Sequence, residues 1–258
     1  MPKDIQKPKL FLVGAGPGDP ELLTIKALRV LNQVDLVLFD NLVNRKILDY
    51  IENPKTQKEF SGKSIGESFK QENINQTILK ALKQGLNVAR LKGGDPLVFA
   101  RGAEEAQIAL EHGYEVEFVP GLTTAFSAAA LNNKTLTLRE KTDTVIVATG
   151  HELNEAKFKL WLEALKQDQV LVLYMGLRNI VEITTRLNQE LGKDFPITAI
   201  YKASLLEQKI LDSNLERISQ DLINNNFESP VIFYIGKNLN HLKQYHEKTL
   251  LHLSSSQH

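Results

Sequence analysis

Residues 90–102 of the chain are Arg90-Leu91-Lys92-Gly93-Gly94-Asp95-Pro96-Leu97-Val98-Phe99-Ala100-Arg101-Gly102, and this stretch decides the fold class. An apolar strand predicted over residues 86–91 ends in paired glycines, which permit positive φ and a close backbone approach to a ligand. A helix is predicted to follow from about Ala103, with Glu104 and Glu105 suited to its positive N-terminus. This order is typical of a site at the carboxyl end of a strand in an α/β protein. An ordinary strand-to-helix turn is the alternative.

Apolar runs alternate with amphipathic segments on both sides of this stretch, which predicts alternating strands and helices. The predicted strands are residues 10–13, 34–39, 86–91, 116–119, 144–148, 170–174, 197–201 and 231–235. The predicted helices are residues 21–32, 72–84, 104–111, 122–131, 154–167, 177–190 and 215–224. In the first helix, Leu22, Ile25 and Leu28 are expected to face a core. Residues 55–71 are predicted to form a long polar loop, which in a compact protein is often functional.

The domain organisation follows from these elements. We expect an N-terminal α/β domain over residues 1–122, with the glycine loops, and a C-terminal α/β domain over residues 123–240. Residues 241–258 lose periodicity and predict a flexible tail.

Composition excludes several classes of protein. The 258 residues suit one large or two modest domains, and 31 Lys plus Arg balance 31 Asp plus Glu. A neutral chain is not typical of a nucleic-acid binder, although a local basic cleft stays open. The absence of Cys excludes disulfides, Cys nucleophiles and Cys-ligated metals, and no metal-ligand spacing is seen. Residues 1–7 lack the apolar core of a signal peptide and no stretch is long enough for a membrane span, so we expect a cytoplasmic protein.

Three further places in the chain carry candidate site residues. Residues 14–20, Gly-Ala-Gly-Pro-Gly-Asp-Pro, follow the first strand. Asp19 stands where a dinucleotide fingerprint needs its third glycine, so a nicotinamide site is disfavoured, but contact with a ligand is still favoured over a plain turn. Asp40 ends the second predicted strand, where a carboxylate is either a site residue or a turn or cap residue. Lys63 lies between two glycines and either reaches a substrate or is solvated.

The ordered set of these motifs resembles the tetrapyrrole methylases. The segments that carry the resemblance are residues 14–20, Asp40, Gly62-Lys63, residues 90–96 with Arg101-Gly102, residues 119–123, Thr149-Gly150-His151 and Tyr174-Met175-Gly176. Each motif alone is weak, but together they extend from about residue 9 to 237. The resemblance implies two α/β domains with a cleft between them, in the manner of the class III methyltransferases, and S-adenosylmethionine as methyl donor.

The resemblance also implies an activity and an assembly. Within the family, the chain is most similar to enzymes that methylate two pyrrole carbons of uroporphyrinogen III to give precorrin-2, on the way to siroheme or cobalamin. It implies a homodimer with a tetrapyrrole substrate and without a metal, nucleic-acid or membrane partner.

Site residues carry over one by one. The family's donor contacts correspond to Pro17, Gly93, Gly94, Asp95, Val98, Thr123, Thr124, Met175 and Ala203. Its proton acceptor corresponds to Asp40, its proton donor to Lys63, and an arginine of its cleft to Arg101. This assignment suits the chemistry, because methylation leaves a positive ring that must lose a proton to a base. Lys63, Arg101 and Arg139, with Arg45, would oppose the carboxylates of the substrate.

The chain departs from the family pattern on the substrate side. The loop of residues 63–71 lacks a histidine that close relatives have, and Leu138 replaces another in the segment of residues 134–139. These departures keep open a methyltransferase acting on a later corrin intermediate, and a tetrapyrrole-binding protein without activity. Retention of Asp40 and Lys63 argues against the inactive protein, and the neutral charge disfavours a ribosomal RNA methyltransferase of the same superfamily.

Overall fold

The computed structural model of the chain describes residues 7–61 and 71–243. They fall into two units that meet in sequence between Thr123 and Thr124, one residue after the boundary expected above. Lys63 and residues 244–258 of the expected tail lie outside the described residues.

The first unit is built on parallel strands. Its elements are β1 (Lys9–Gly14), α1 (Ile25–Leu31), β2 (Leu36–Phe39), β3 (Gln57–Phe60), α2 (Gln71–Lys83), β4 (Val88–Lys92), α3 (Gly102–Glu111) and β5 (Glu115–Val119), with short 3-10 helices at Pro20–Leu22 and Arg45–Tyr50. The sheet order is β3-β2-β4-β1-β5 and every pairing is parallel. The inner strands β1, β2 and β4 are largely buried on both faces, as parallel strands covered by helices on both sides are.

The two faces of this sheet carry different helices. One face packs against α1 and the second 3-10 helix, through Val30, Leu31 and Ile47. The other face packs against α2 and α3, through residues such as Ile78 and Ala106. Alternation along β4 therefore places Ala89 and Leu91 on the α1 face and Val88, Arg90 and Lys92 on the α2 and α3 face.

Strand order reverses between β1 and β4. The connection after β1 passes through α1 to β2, on the far side of β4, whereas the connection after β4 passes through α3 to β5, on the far side of β1. The two connections leave on opposite faces, so a crevice opens at the carboxyl ends of β1 and β4. Open α/β sheets bind their ligands at such a switch point.

The second unit has a mixed sheet. Its elements are α4 (Thr124–Leu131), β6 (Val145–Thr149), α5 (Glu155–Lys166), β7 (Val170–Tyr174), α6 (Ile180–Leu191), β8 (Pro196–Tyr201), β9 (Lys209–Asn214), α7 (Ile218–Asn224) and β10 (Val231–Ile235), with a 3-10 helix at Leu177–Asn179. The sheet order is β6-β7-β10-β8-β9. Only β6 and β7 pair in parallel, whereas β10 runs antiparallel to both its neighbours and β9 antiparallel to β8. Trp161 and Phe233 are fully buried in its core.

Two strands were not predicted from the sequence. β3 lies inside the segment expected to be an irregular polar loop, and β9 lies in a stretch without a prediction. Both are edge strands that are mostly polar in sequence and contain no buried residue, and polar edges discourage pairing with other chains. Because neither strand has a buried apolar face, neither gives a clear alternating apolar signal.

The predicted helix over residues 21–32 is also wrong in detail. The chain forms a 3-10 turn over Pro20–Leu22 and restarts as α1, because the Thr24 hydroxyl accepts the Ala27 amide at 3.1 Å as an N-cap. Ile25, expected in the core, is 79% exposed on the first turn. Across residues 7–61 and 71–243, no helix combines the length and apolarity that crossing a bilayer requires.

Candidate functional site

Loops from the carboxyl ends of the parallel strands contact one another at the switch point. The Ala15 amide donates to Lys92 O at 2.8 Å, and Gly16 and Gly94 exchange a pair of backbone hydrogen bonds at 2.7 and 3.2 Å. These bonds extend the β1–β4 pairing beyond the strands. The two predicted glycine loops are therefore brought together.

Glycines at the base of this site leave no room for side chains. A Cβ on Gly121 would lie 2.2 Å from Gly94 O, and one on Gly14 would lie 2.5 Å from the Gly121 Cα. The Asp95 carboxylate ties the same loops together, accepting the Gly121 amide at 3.2 Å and the Leu97 amide at 2.9 Å. The Asp95 side chain, predicted to contact a donor, thus has a structural task in holding the loops.

The loop after β2 joins this group. Asn44 donates its side-chain amide to Gly18 O at 2.8 Å. A Cβ on Gly93 would lie 3.0 to 3.1 Å from the Cβ and carbonyl oxygen of Leu42, so the two loops pack with backbone against backbone. The loop that begins at Asp40 is therefore held against both glycine loops.

Asp40 has two kinds of partner. Its Oδ1 accepts the Leu42 amide at 3.0 Å, as a turn residue does. Its Oδ2 accepts a hydrogen bond from Arg90 Nη2 at 2.6 Å, and its side chain is 24% exposed. Both alternatives considered for Asp40 are compatible with this geometry, because the carboxylate shapes the turn and still reaches solvent.

Asp40 belongs to a group of four charged side chains, here called the charge network, which consists of Asp40, Arg90, Glu105 and Lys92. Arg90 Nε lies 3.4 Å from Glu105 Oε1, and Lys92 Nζ donates to both Glu105 oxygens at 2.9 Å. The side chains of Arg90, Glu105 and Lys92 are 3%, 0% and 5% exposed. Burial, and then the neighbouring Arg90, lower the pKa of the Lys92 ammonium, while Glu105 opposes this shift.

The charge network was not anticipated from the sequence. Glu105 lies in the first turn of α3, as expected for an acidic residue near a helix N-terminus, but its carboxylate is buried and accepts hydrogen bonds from Lys92, which no local pattern predicted. One signal was available. Arg90 and Lys92 alternate with Ala89 and Leu91 in an otherwise apolar strand, so two cations had to share a covered face and required a buried anion.

Arg101 lies apart from the charge network. Its guanidinium pairs with Glu104 at 2.6 Å and both side chains are more than half exposed. The Glu104 hydrogen bond raises the pKa of Arg101. Phe99 and Arg101 have φ of 52° and 58°, a conformation that costs non-glycine residues free energy and that clusters at functional sites.

The remaining predicted residues of the first unit lie on or beside these loops. Pro17 and Val98 are half-buried within the two glycine loops, and the Val98 amide donates to Asp95 O at 3.3 Å. Arg45 is exposed at the start of its 3-10 helix, with its guanidinium carbon 5.7 Å from the Phe60 ring centroid. Thr123 is half-buried just after Gly121.

In the second unit, predicted donor residues gather at one edge of the sheet. β7 and β8 both pair antiparallel with β10, so they run in the same direction and their carboxyl ends lie together. Met175 follows β7 with φ of 53° and a side chain 49% exposed. Ala203 follows β8 and is flanked by Lys202 and Ser204, whose φ values are 44° and 65°. Strained backbone thus marks both positions.

Tyrosine hydroxyls fix the first turn of α4, which starts at Thr124. The Ala125 amide donates to the Tyr174 hydroxyl at 2.7 Å, and the buried Tyr234 hydroxyl donates to Thr124 O and Ala125 O at 3.2 and 3.0 Å. Burial raises the pKa of Tyr234 above its ordinary value, so this hydroxyl keeps its proton. Thr124 is therefore held in place from the sheet of its own unit.

Arg139 and the histidines are peripheral within their units. Arg139 is 94% exposed and its Nε lies 3.7 Å from Glu140. His151 is exposed after β6, and its amide donates to the Thr149 hydroxyl at 3.2 Å. His112 is exposed at the end of α3, where its ring contacts Ile108 O at 2.8 Å. In residues 7–61 and 71–243, no three His, Asp or Glu side chains are arranged to hold a metal ion.

Known proteins share this sequence pattern. Residues 9–219 match the sequence model of the Tetrapyrrole (Corrin/Porphyrin) Methylases. The uroporphyrinogen-III C-methyltransferase of Bacillus subtilis is 38% identical over 244 residues, which cover 93% of this chain and 93% of that enzyme. The siroheme synthase of Acinetobacter baylyi is 38% identical over 234 residues, which cover 90% of this chain and 51% of that protein. The chain thus spans about half the length of this second relative.

A solved structure is similar as well. The uroporphyrin-III C-methyl transferase from Thermus thermophilus, complexed with S-adenyl homocysteine, has a TM-score of 0.73 and 32% sequence identity to this chain. The match covers 89% of this chain and 97% of that one.

The glycine contacts give a stability prediction. Gly121→Ala would force a Cβ against the Gly94 carbonyl, so we expect it to lower the free energy of unfolding by about 3 kcal/mol or more. Gly113→Ala is the matched control, because Gly113 has a φ of 77° and open space around its Cβ position. It should cost only the conformational strain, about 1–2 kcal/mol. Equal losses in denaturant titrations of the two variants would contradict the steric argument.

Proposed function

Since this chain belongs to the tetrapyrrole (corrin/porphyrin) methylases, we propose that it transfers methyl groups from S-adenosylmethionine to two pyrrole carbons of uroporphyrinogen III, giving precorrin-2. The observation that carries the proposal is the match to the Bacillus subtilis uroporphyrinogen-III C-methyltransferase, which covers 93% of both chains. The match includes both units, so it is not confined to a shared motif.

The residues present fit the donor. S-adenosylmethionine supplies a sulfonium methyl group that is already activated for transfer to carbon. The half-buried Gly93 and Gly94 allow close backbone approach at the switch point. Val98 in the first unit and the partly exposed Met175 in the second each offer apolar surface that suits an adenine ring. We assign donor contacts to both of them and to Pro17, Asp95, Thr123, Thr124 and Ala203, as the family resemblance implies. The task of these residues is to bind and orient the donor and to exclude water.

Asp40 is the proposed base. Methyl transfer breaks the bond between the methyl carbon and sulfur, releases S-adenosylhomocysteine and forms a bond between the methyl and pyrrole carbons. The ring is then cationic and becomes neutral when a proton departs. The Asp40 carboxylate accepts hydrogen bonds from Leu42 and Arg90, and a carboxylate has about four lone-pair sites. Sites therefore remain for the proton, and the partial exposure of Asp40 makes them reachable. Lys63 is the proposed proton donor.

Cations on the loops are the proposed partners of the substrate carboxylates. Arg45 and Arg101 are exposed in the first unit and Arg139 is exposed in the second. Arg101 is paired with Glu104, but an exposed ion pair is weak in water. Arg101 donates to both Glu104 oxygens, but both side chains are more than half exposed, so a substrate carboxylate can compete with Glu104 for the guanidinium.

The use of the product and the assembly are further parts of the proposal. The similarity to a siroheme synthase supports a place in siroheme biosynthesis. We also propose a cytoplasmic location, which fractionation of cells would test.

The proposed function is tested with the full chain, labelled S-adenosylmethionine and uroporphyrinogen III under reducing conditions. We expect a product that is heavier by two methyl groups, identified by its mass. Calorimetry with S-adenosylhomocysteine in the presence of a chelator should show binding without any metal.

The outcomes separate the alternatives. Donor binding without methylation of uroporphyrinogen III, but with methylation of a later corrin intermediate, would assign the chain to another reaction of the family. Absence of donor binding would contradict the proposal altogether.

Asp40→Asn and Arg101→Ala should affect turnover and leave donor affinity nearly unchanged. Removal of the base should slow methyl transfer by roughly a hundredfold to ten-thousandfold, and removal of the arginine should weaken use of the acceptor. Because Asp40 is paired with the buried Arg90, Asp40→Asn should also lower the melting temperature. Turnover is therefore measured per folded molecule, and normal turnover in folded Asp40→Asn would remove Asp40 from the mechanism.

We propose that the protein is a homodimer, a prediction supported by the family resemblance. Light scattering should give twice the chain mass of 29.0 kDa over a wide range of concentrations. A monomer mass throughout that range would refute it.

A further inference from the structure

One end of the charge network is open to solvent. Arg90, Glu105 and Lys92 are at least 95% buried, whereas the Asp40 side chain is 24% exposed. Because Asp40 is the exposed member of the network, a proton that enters the network from a bound molecule must enter at Asp40. The formal charges of the four side chains sum to zero.

Arg90 is fixed in orientation by partners other than Asp40. Its Nη1 donates to Leu91 O at 3.0 Å and lies 3.5 Å from Leu38 O, while its Nε lies 3.4 Å from Glu105. A guanidinium is planar, so fixing one side of it fixes the direction of the remaining N–H groups. The Nη2 donor that contacts Asp40 is thus aimed by the rest of the network.

Glu105 is fixed in the same way. Lys92 donates to both of its oxygens, and the Gln71 side-chain amide donates to Oε1 at 2.9 Å. These contacts join β4, α3 and the first residue of α2 behind Arg90. The order of support therefore runs from Lys92 and Gln71 through Glu105 and Arg90 to Asp40.

Stability alone gives no reason for this arrangement. Burying charges costs several kcal/mol per ion, and well-packed apolar residues of similar volume often stabilise a protein as well or better. β4 nevertheless presents two cations on a face where its neighbours Leu12 and Leu38 are apolar. The feature that apolar packing could not supply is a fixed donor 2.6 Å from the Asp40 carboxylate.

We propose that Arg90 is a positioning residue that orients the Asp40 carboxylate for proton removal, with Glu105, Lys92 and Gln71 fixing Arg90 from behind. This inference rests on the proposed role of Asp40 as base. Arg90 itself does not exchange a proton with the substrate. It determines which way the carboxylate faces.

The test is a double-mutant cycle on the full-length protein, with uroporphyrinogen III and S-adenosylmethionine as substrates. Arg90→Lys keeps the charge but loses the planar fork, and we expect kcat to fall on the order of a hundredfold through misplacement of Asp40. The affinity for S-adenosylhomocysteine should stay unchanged. In the Asp40→Asn background, Arg90→Lys should have no further effect on kcat, because the group that it positions is gone.

Arg186→Lys is the matched control. Arg186 lies on α6 of the second unit, donates to Glu155 at 2.6 Å and has a side chain that is 29% exposed. Like Arg90→Lys, it replaces a carboxylate-paired guanidinium with an ammonium. It should leave kcat at the wild-type value.

The outcomes are separable. Normal kcat in folded Asp40→Asn would contradict the role of Asp40 itself. Suppose that Asp40→Asn is slow, and that Arg90→Lys lowers kcat by the same factor in the wild-type and Asp40→Asn backgrounds, or leaves kcat unchanged in both. Either result would overturn only the positioning role. If Arg90→Lys does not fold, Gln71→Met replaces it in the cycle. We expect Gln71→Met to lower kcat several-fold in the wild-type background and to leave kcat unchanged in the Asp40→Asn background. The same decrease in kcat in both backgrounds, or no decrease in either, would overturn the proposal.

Discussion

The first unit depends on backbones that approach too closely for any side chain. At Gly14 and Gly121 the backbones of the neighbouring loops, including the Gly94 carbonyl, occupy the space that Cβ atoms would need. The approach lets Gly16 and Gly94 exchange hydrogen bonds and lets the Asp95 carboxylate reach the Gly121 amide. These contacts turn the ends of separate strands into one surface. Without them the switch point would still exist in the topology, but nothing would fix the shape of its crevice.

The burial of charged side chains in the first unit follows from the geometry of its parallel sheet. Parallel strands expose their carboxyl ends at one edge, so polar residues that serve a site there must come from strands buried on both faces. Arg90 and Lys92 are such residues, and their burial is acceptable because Glu105 on α3 and Asp40 after β2 balance them. The network therefore links the packing of the sheet with the orientation of its most reachable carboxylate.

The sequence predicts the apolar strands well and the polar ones poorly. β7 and β10 have the predicted bounds, because a short uninterrupted run of aliphatic and aromatic residues is typical of a buried strand. β3 and β9 were missed because neither strand has a buried residue, so their sequences carry no clear alternation of apolar and polar residues. The site shows the same division. Glycine loops could be located from local spacing, whereas the pairing of Glu105 with Lys92 depends on how α3 lies on the sheet, which no local pattern contains.

The two interpretations of Asp40, turn residue or base, are not exclusive. One oxygen accepts the Leu42 amide and shapes the turn, and the other accepts the Arg90 guanidinium. Both contacts restrict rotation of the carboxylate without using all of its lone pairs. A residue with both roles would be held still by the fold that it helps to form. If Asp40 is the base, as proposed, its loss should lower stability and turnover together, and neither effect by itself identifies the role of the residue.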